Sequence, residues 1–491
     1  MTRISRSTYY CLHRPSRCPR RLRLFESGAP ASDPSPLEEI VIELGARHEA
    51  EYLSTLASVL ELKEGSHKER VARTQDALQR KTNALAHALL RSTWPVRGDS
   101  LEIVGEPDLL VPARDGWIIR DVKLTRHVSE HPEIAAQMDL YGALLERTTG
   151  RAPVRLEVVL GDDSLEHIEY AGLAAVEGSI ADLLEHLRRG EAYEPVGWSK
   201  CQGCGYREQC WPEAEKRQDV ALLPTVDQGL AHELHARGIR SIRELSDKLP
   251  EEELRDLQRP WGRRTQRVGK KAGTILLEAR CFLEERPLRL GVNNLPAAPN
   301  VLVLDLEGIP PFLDGPEEIF LWGMKVFGER PSPYSVAYTI PGETGDEATW
   351  GAFLRNAAGV FETYGDLPIL HWASYEKTKL RLYRDRYGDR EGIAERIDRN
   401  LCNLLSVCSE GICLPLPSRS LKVVEKYVGY ERKVQGNGEW AVAQYVRAVS
   451  TDNPDEATRL VTEVLRYNEE DLDATWANSG FSISSILSFP T

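Results

Sequence analysis

Three groups of side chains in this sequence have the types and spacing to do chemistry. Asp108 is followed by Asp121 and Lys123 in the run GEPDLLVPARDGWIIRDVK. Carboxylates on adjacent strands can hold a divalent cation between them, while a lysine ammonium stabilises negative charge on a phosphate. Asp305 and Glu307 close a second apolar run, VLVLDLEG, and Glu376, Tyr467 and Asp471 follow it. Carboxylates at the end of a hydrophobic strand are costly to bury unless a metal neutralises them. Cys201, Cys204 and Cys210 form the third group, a Cys-x2-Cys turn with another thiol six residues on. Such spacing suits a tetrahedral thiolate site but supplies only three ligands, so Cys18 is the leading candidate for the fourth and Cys11 the reserve. Zinc and a 4Fe–4S cluster both satisfy that ligand list.

These groups need elements to hold them. Residues 105–111 and 117–123 read as the two strands of a hairpin around a turn at 112–116, and the period of two puts Trp117, Ile119, Asp121 and Lys123 on one face. A helix is expected over 36–53 with Ile40, Leu44 and His48 near one stripe, and a polar helix between 63 and 90. Residues 132–146 read as an amphipathic helix on which Gln137 and Tyr141, four apart, share a face. A strand at 154–160 and a helix at 173–189 complete an α/β core. Further on, 301–308 is a buried-type strand, 369–376 a strand running into a helix near Glu376, and Tyr467 and Asp471 lie on one helical face.

Between these regions the segment LHARGIRSI at 234–242 places a Gly-Ile pair between two short helical patterns. It resembles a helix-hairpin-helix, in which hairpin amides approach a phosphate without reading sequence; an ordinary glycine at a helix C-cap is the alternative.

At 491 residues the chain is long enough for two or three domains, and 41% hydrophobic with 28% charged residues is the composition of a globular protein. No run approaches the ~20 apolar residues that span a bilayer, and the arginine-rich N-terminus lacks an apolar signal core, so no membrane insertion and a cytoplasmic location are expected. The net charge of −13 argues against coating nucleic acid by bulk attraction and leaves binding to local patches. Residues 3–23, without an acidic side chain, and 255–271, with Arg259, Arg263, Arg264, Arg267, Lys270 and Lys271, are two such patches. Nine cysteines without an export signal do not suggest a disulfide framework, and Cys402, Cys408 and Cys413 sit in an apolar run as buried thiols.

Taken in order, Cys18 in CPRR, His48 in GARH, Asp108 in GEPD, Asp121 and Lys123 in DVK, Gln137 and Tyr141 in QMDLY, and CQGCGYREQC resemble the RecB-like branch of the PD-(D/E)XK nucleases. The branch with an iron–sulfur clasp, found in CRISPR-associated exonucleases and the AddB subunit of recombination nucleases, is the most similar. The resemblance covers residues 1–214 and implies a restriction-endonuclease-like mixed sheet. It also implies that His48, Asp108 and Asp121 bind Mg²⁺ or Mn²⁺, that Lys123 orients or activates the attacking water, and that Gln137 and Tyr141 contact the substrate. Cys18, Cys201, Cys204 and Cys210 would hold a structural 4Fe–4S cluster, with Zn²⁺ as the alternative. Aspartate at 121 replaces the more usual glutamate, which the family permits.

Residues 296–491, reached through a helical helix-hairpin-helix-like connector at 215–295, resemble the DEDD exonucleases of RNase H-like α/β fold. That resemblance implies two metal ions on Asp305, Glu307, Glu376 and Asp471, with Tyr467 positioning water. Glu376 stands where aspartate is commoner, and Asn403 where related sequences often have aspartate. The expectation is a metal-dependent DNA nuclease, an exonuclease or end-processing enzyme preferring single-stranded ends, with RNA as an alternative substrate. The alternative reading is a nucleic-acid-binding adaptor of a repair or defence complex with one or both sites inactive. The sequence has no Gly-x4-Gly-Lys-Ser/Thr phosphate loop, so helicase work would need a partner subunit.

Overall fold

The computed structural model describes residues 2–5, 9–10, 18–96, 98–188, 193–261, 264–290, 295–309, 318–340 and 345–488. Cys11 and Arg263 lie outside them. Two compact units form, one from Met1–Asp33 and Glu38–Glu194, the other from Pro34–Leu37, Pro195–Pro310 and Glu317–Thr491.

The described strands of the first unit are β1 (Thr2–Ser5), β2 (Val59–Glu61), β3 (Ala84–Ala86), β4 (Leu90–Val96), β5 (Asp99–Gly105), β6 (Leu109–Ala113), β7 (Gly116–Val122), β8 (Arg155–Val159) and β9 (Leu165–Ile168). They make a sheet in the order β1-β5-β4 and a larger mixed sheet in the order β2-β3-β6-β7-β8-β9. The β6–β7 hairpin turns through Arg114 and Asp115, with Ala113 paired to Gly116. β7 is buried on both faces except at Arg120 and runs parallel to β8. A parallel neighbour demands a crossover, and the helix Pro132–Thr149 provides it, entered through proline and stopped at Gly150 with φ 74°. Its Ile134, Met138, Leu144 and Leu145 pack with Trp94, Ile103, Leu110, Ile119, Leu156 and Val158 in one core.

Two expectations need adjustment here. Gly105 ends β5 rather than opening the strand of Asp108; a Cβ there would lie 2.7 Å from Leu144 Cδ1, so the close packing of the crossover helix favours glycine. The polar helix is confined to His67–Arg80, begun by a Ser66/Glu69 capping box and closed by Lys81 at φ 51°, and strands β3 and β4 follow.

In the second unit the helices Gln228–Ala236 and Ile242–Lys248 are joined by a hairpin. Gly238 N–H bonds to His235 O at 3.0 Å and Ile239 N–H to Leu234 O at 2.9 Å, while Glu244 accepts from the amides of Arg240 and Ser241 at 2.9 and 3.2 Å. These four amides are engaged within the hairpin. The strands are β10 (Gln258–Trp261), β11 (Arg264–Arg267), β12 (Leu288–Arg289), β13 (Asn300–Ile309), β14 (Glu318–Gly328), β15 (Ser335–Tyr338), β16 (Ile369–His371), β17 (Leu401–Asn403) and β18 (Ile412–Cys413). Arg259 of β10 is buried and ion-paired to Asp227, so it braces the connector, whereas Arg264, Lys270 and Lys271 are exposed.

The main sheet has the order β15-β14-β13-β16-β17. Along β13, Leu302, Leu304 and Leu306 face a core built with Trp322, Trp350, Phe353 and Tyr383. By the period of two, Val301, Val303, Asp305 and Glu307 face the other way. There Leu472 of the helix Pro454–Ser488 joins Val301 and Val303, and this packing brings Asp471 to the two acidic residues of β13. No helix among the described residues is long and apolar enough to cross a membrane.

Candidate active sites

The first site sits where the link between β5 and β6 meets the end of β7. Val122 N–H donates to Asp108 Oδ2 at 2.8 Å, and His87 N–H donates to the Asp108 carbonyl at 3.1 Å, so the Asp108 link is held from both sides. Asp121 is fully buried; its Oδ2 accepts from Gln137 Nε2 at 3.2 Å and pairs with the Lys123 ammonium. Gln137 Nε2 also reaches Tyr141 Oη at 3.0 Å. Gln137 and Tyr141, expected at the substrate, are both buried, and Gln137 bridges Tyr141 and Asp121. The other oxygen of Asp121, Oδ1, is buried without a hydrogen-bond partner. An unsatisfied buried carboxylate oxygen costs free energy unless something electropositive meets it, and a divalent cation with oxygen ligands fits that donor set. Burial first, and the charge of Asp121 second, push the Asp108 carboxyl well above the usual range, against the pull of Lys123.

The helix Pro36–Ser54 presents His48 and Glu49 in different directions. His48 Nε2 lies 3.0 Å from Leu160 O, and its Nδ1 is 3.9 Å from Asp163 Oδ1. Leu160 follows Val159, whose carbonyl accepts from Lys123 N–H at 2.9 Å, so His48 stands at the Lys123 end of the sheet. Glu49 instead pairs with His87 Nε2 at 2.7 Å, and His87 Nδ1 meets Glu61 at 2.9 Å. The bond to Glu49 chiefly raises the His87 imidazole to about 8, and the same bond holds Glu49 below its ordinary value. The charge of Glu49 acts on Asp108, and those of Asp121 and Lys123 act on Glu49. Glu49 was not among the residues singled out by sequence; successive helical positions diverge by about 100°, and only the fold decides which one faces the acids.

In the second unit Asp305, Glu307 and Asp471 offer oxygen atoms that all lie within 4.8 Å of one another. Among the described residues this is the one such group of three or more His, Cys, Asp or Glu. Burial is the first cause that drives the carboxyls of Asp305 and Glu307 well above their ordinary range, and the charge of Asp471 is the second. Crowded, buried carboxylates of like charge are the donor set a hard divalent cation relieves. Lys422 Nζ donates to Asp471 Oδ1 at 3.0 Å, and Arg432 pairs with the same carboxylate while gripping Glu425 at 2.6 and 2.7 Å. Asn468 Nδ2 donates to Asp305 Oδ2 at 2.6 Å and Tyr334 Oη donates to Asn468 at 2.9 Å. Sequence reasoning missed Lys422, Arg432, Asn468 and Tyr334; Asn468, next to Tyr467, had the nearest signal.

Tyr467 is buried, with the Lys422 ammonium 4.3 Å from its ring centroid. Desolvation, then Asp471 and Glu307, raise its hydroxyl far above the usual tyrosine value. Glu376 lies in the first turn of the helix Tyr375–Tyr387, buried and 3.1 Å from His371 Nδ1, and its charge acts on Asp305 and Glu307. Asn403 caps the helix Leu404–Gly411 by accepting from Ser406 N–H.

The cysteines divide between the units. Cys18 precedes the helix Pro19–Glu26 in the first. In the second, Cys201 ends the helix Trp198–Cys201, Cys204 N–H bonds back to Cys201 O at 3.2 Å around Gly203 at φ 67°, and Cys210 lies in the helix Arg207–Arg217.

Residues 16–211 match the family model of the PD-(D/E)XK nuclease superfamily, and residues 302–477 match that of the RNase H superfamily. No curated protein matches the chain. A solved structure described as "Crystal structure of SSO0001" is similar at 16% identity over 43% of this chain and 85% of that one, with a TM-score of 0.26. The two family matches indicate a nuclease whose substrate is nucleic acid. The chain therefore carries a PD-(D/E)XK nuclease superfamily domain and, C-terminal to it, an RNase H-like superfamily domain.

Proposed function

We propose that this protein is a metal-dependent DNA nuclease that hydrolyses phosphodiester bonds at single-stranded ends with two active sites. The observation that carries the reading is the convergence of Asp305, Glu307 and Asp471 within 4.8 Å, in a domain of nuclease type. Bound Mg²⁺ or Mn²⁺ would supply Lewis-acid stabilisation and an activated water. In the first site His48, Asp108 and Asp121 are the metal residues, the charge of Glu49 acts on Asp108, and Lys123 orients the attacking water beside Asp121. Gln137 and Tyr141 act through Asp121. In the second site Asp305, Glu307, Glu376 and Asp471 are the metal residues. Tyr467 is protonated at neutral pH, as any tyrosine is, and burial first and the carboxylates around it second hold its proton more firmly, so it donates a hydrogen bond and positions water.

Labelled single-stranded DNA should be degraded in Mg²⁺ or Mn²⁺ and left intact in EDTA. Asp471 is already engaged by Lys422 and Arg432, and Glu376 by His371, which favours a second reading for the C-terminal centre alone: it binds ends without cutting. Binding that persists in EDTA with no cleavage under either metal would support an adaptor over an enzyme.

The finer assignment of a structural 4Fe–4S cluster to Cys18, Cys201, Cys204 and Cys210 rests on ligand type and spacing. Protein prepared without oxygen should carry iron and sulfide and absorb in the visible; stoichiometric zinc without iron would assign Zn²⁺ instead.

A further inference from the structure

A cleft of about 590 Å³ in the second unit is lined by Trp198, Arg207, Lys422, Lys426 and Tyr427 among others, and no acidic residue among the described residues lines it. Three of these side chains are cations and two are aromatic. Lys422 and Lys426 are one helical turn apart on the helix Leu421–Tyr427, and Val423 and Tyr427 repeat that spacing, so a single stripe of the helix faces the cleft. The Trp198 and Arg207 part of the lining is preorganised: the Arg207 guanidinium lies 4.9 Å from the Trp198 ring and 4.8 Å from the Trp211 ring, and the two indoles meet edge to face at 5.7 Å. Lys422 belongs to both places, because the residue lines the cleft while its ammonium bonds to Asp471 of the acidic cluster. Lys426, further along the same stripe, is exposed.

Cations and flat aromatic rings lining one cleft suit the phosphates and the bases of an unpaired strand. An acidic partner of another kind would leave the aromatic faces unused, and an apolar one would bury three charges. The geometry points to this cleft as the binding groove for the single-stranded nucleic acid next to the nucleotide held at the Asp305 centre. Lys426 and Arg207 neutralise phosphates, Trp198 and Tyr427 stack bases, and Lys422 links groove to acid cluster. This rests on the reading that the acid cluster handles nucleic acid.

Binding of a short fluorescein-labelled oligothymidylate to the full chain in EDTA, followed by anisotropy, tests the groove without cleavage. Lys426→Ala should weaken binding about 5-fold and lower the slope of log affinity against log salt by about 0.7, the share of one phosphate on a single strand. Trp198→Ala should weaken it about 5- to 10-fold, and Trp198→Phe should restore most of the loss. Because Trp198 packs on its neighbours, the exposed Lys426 variant keeps the test independent of folding. The same losses on oligouridylate assign the groove to both nucleic acids, and losses on oligothymidylate alone assign it to DNA. Affinities within 2-fold of wild type in both alanine variants, or no binding by the wild type, overturn the groove. Variant-sensitive binding by a protein that cuts with neither Mg²⁺ nor Mn²⁺ overturns the catalytic reading and leaves the groove standing.

Discussion

Gln137 Nε2 lies 3.2 Å from Asp121 Oδ2, which ties the crossover helix Pro132–Thr149 to the acidic end of β7. The helix exists because β7 and β8 are parallel neighbours and the chain must return across the sheet between them. The topology that makes the core thus also fixes the carboxylate.

That tie has a measurable weight. Gln137→Ala removes a buried donor shared by Asp121 and Tyr141, and a hydrogen bond to a charged group contributes about 1.5–3 kcal/mol. The urea midpoint should fall at unchanged slope, and a midpoint equal to wild type would show that the bond contributes nothing.

The Glu49–His87–Glu61 bridge makes stability depend on pH in a defined direction. His87 is raised from 6.5 to about 8 in the folded protein, so its contribution is complete below about 6.5 and is lost as pH rises through about 8. Thermal midpoints should decline over that window, and His87→Gln should flatten the decline. An identical profile in the variant would remove His87 as its source.

The Asp305 centre predicts a stability gain from losing a charge. Burial and Asp471 hold the folded Asp305 carboxyl well above its unfolded value, so its ionised form opposes folding at neutral pH. Asp305→Asn should raise the melting temperature of the metal-free protein by roughly 2–4 °C, the effect of ~1 kcal/mol in a domain of this size. The rise that Mn²⁺ gives the wild type should shrink in this variant. A variant that melts lower in EDTA would contradict the repulsion.

Much of the fold is legible in the sequence because strong periodicity survives burial. The hairpin of β6 and β7, the crossover helix, and β13 with Asp305 and Glu307 on one face all follow from periods of 2 and 3.6. The β4–β5 hairpin is harder to read, since Pro95 interrupts its alternation, although Gly98 at φ 87° marks the turn. The acidic groups are legible as residue types, but their company is not. Lys422 and Arg432 reach Asp471 from a seven-residue helix and the chain after it, and Glu49 reaches the Asp108 region through His87, so only tertiary packing brings them in. In the connector, Gly238 reads equally as a phosphate hairpin or a helix cap, and the amides settle on partners within the hairpin.

The proposed nuclease has two acidic centres on one chain, each cutting nucleic acid with a metal. Cleavage of 5′- and 3′-labelled single-stranded DNA in Mg²⁺ or Mn²⁺ should be compared across wild type, Asp121→Asn with Lys123→Ala, Asp305→Asn with Glu307→Gln, and all four substitutions together. Each pair should remove part of the activity and the combined variant at least about 100-fold, in line with losing groups that stabilise transition-state charge. Cutting by the combined variant at the wild-type rate would remove both centres as the source of cleavage.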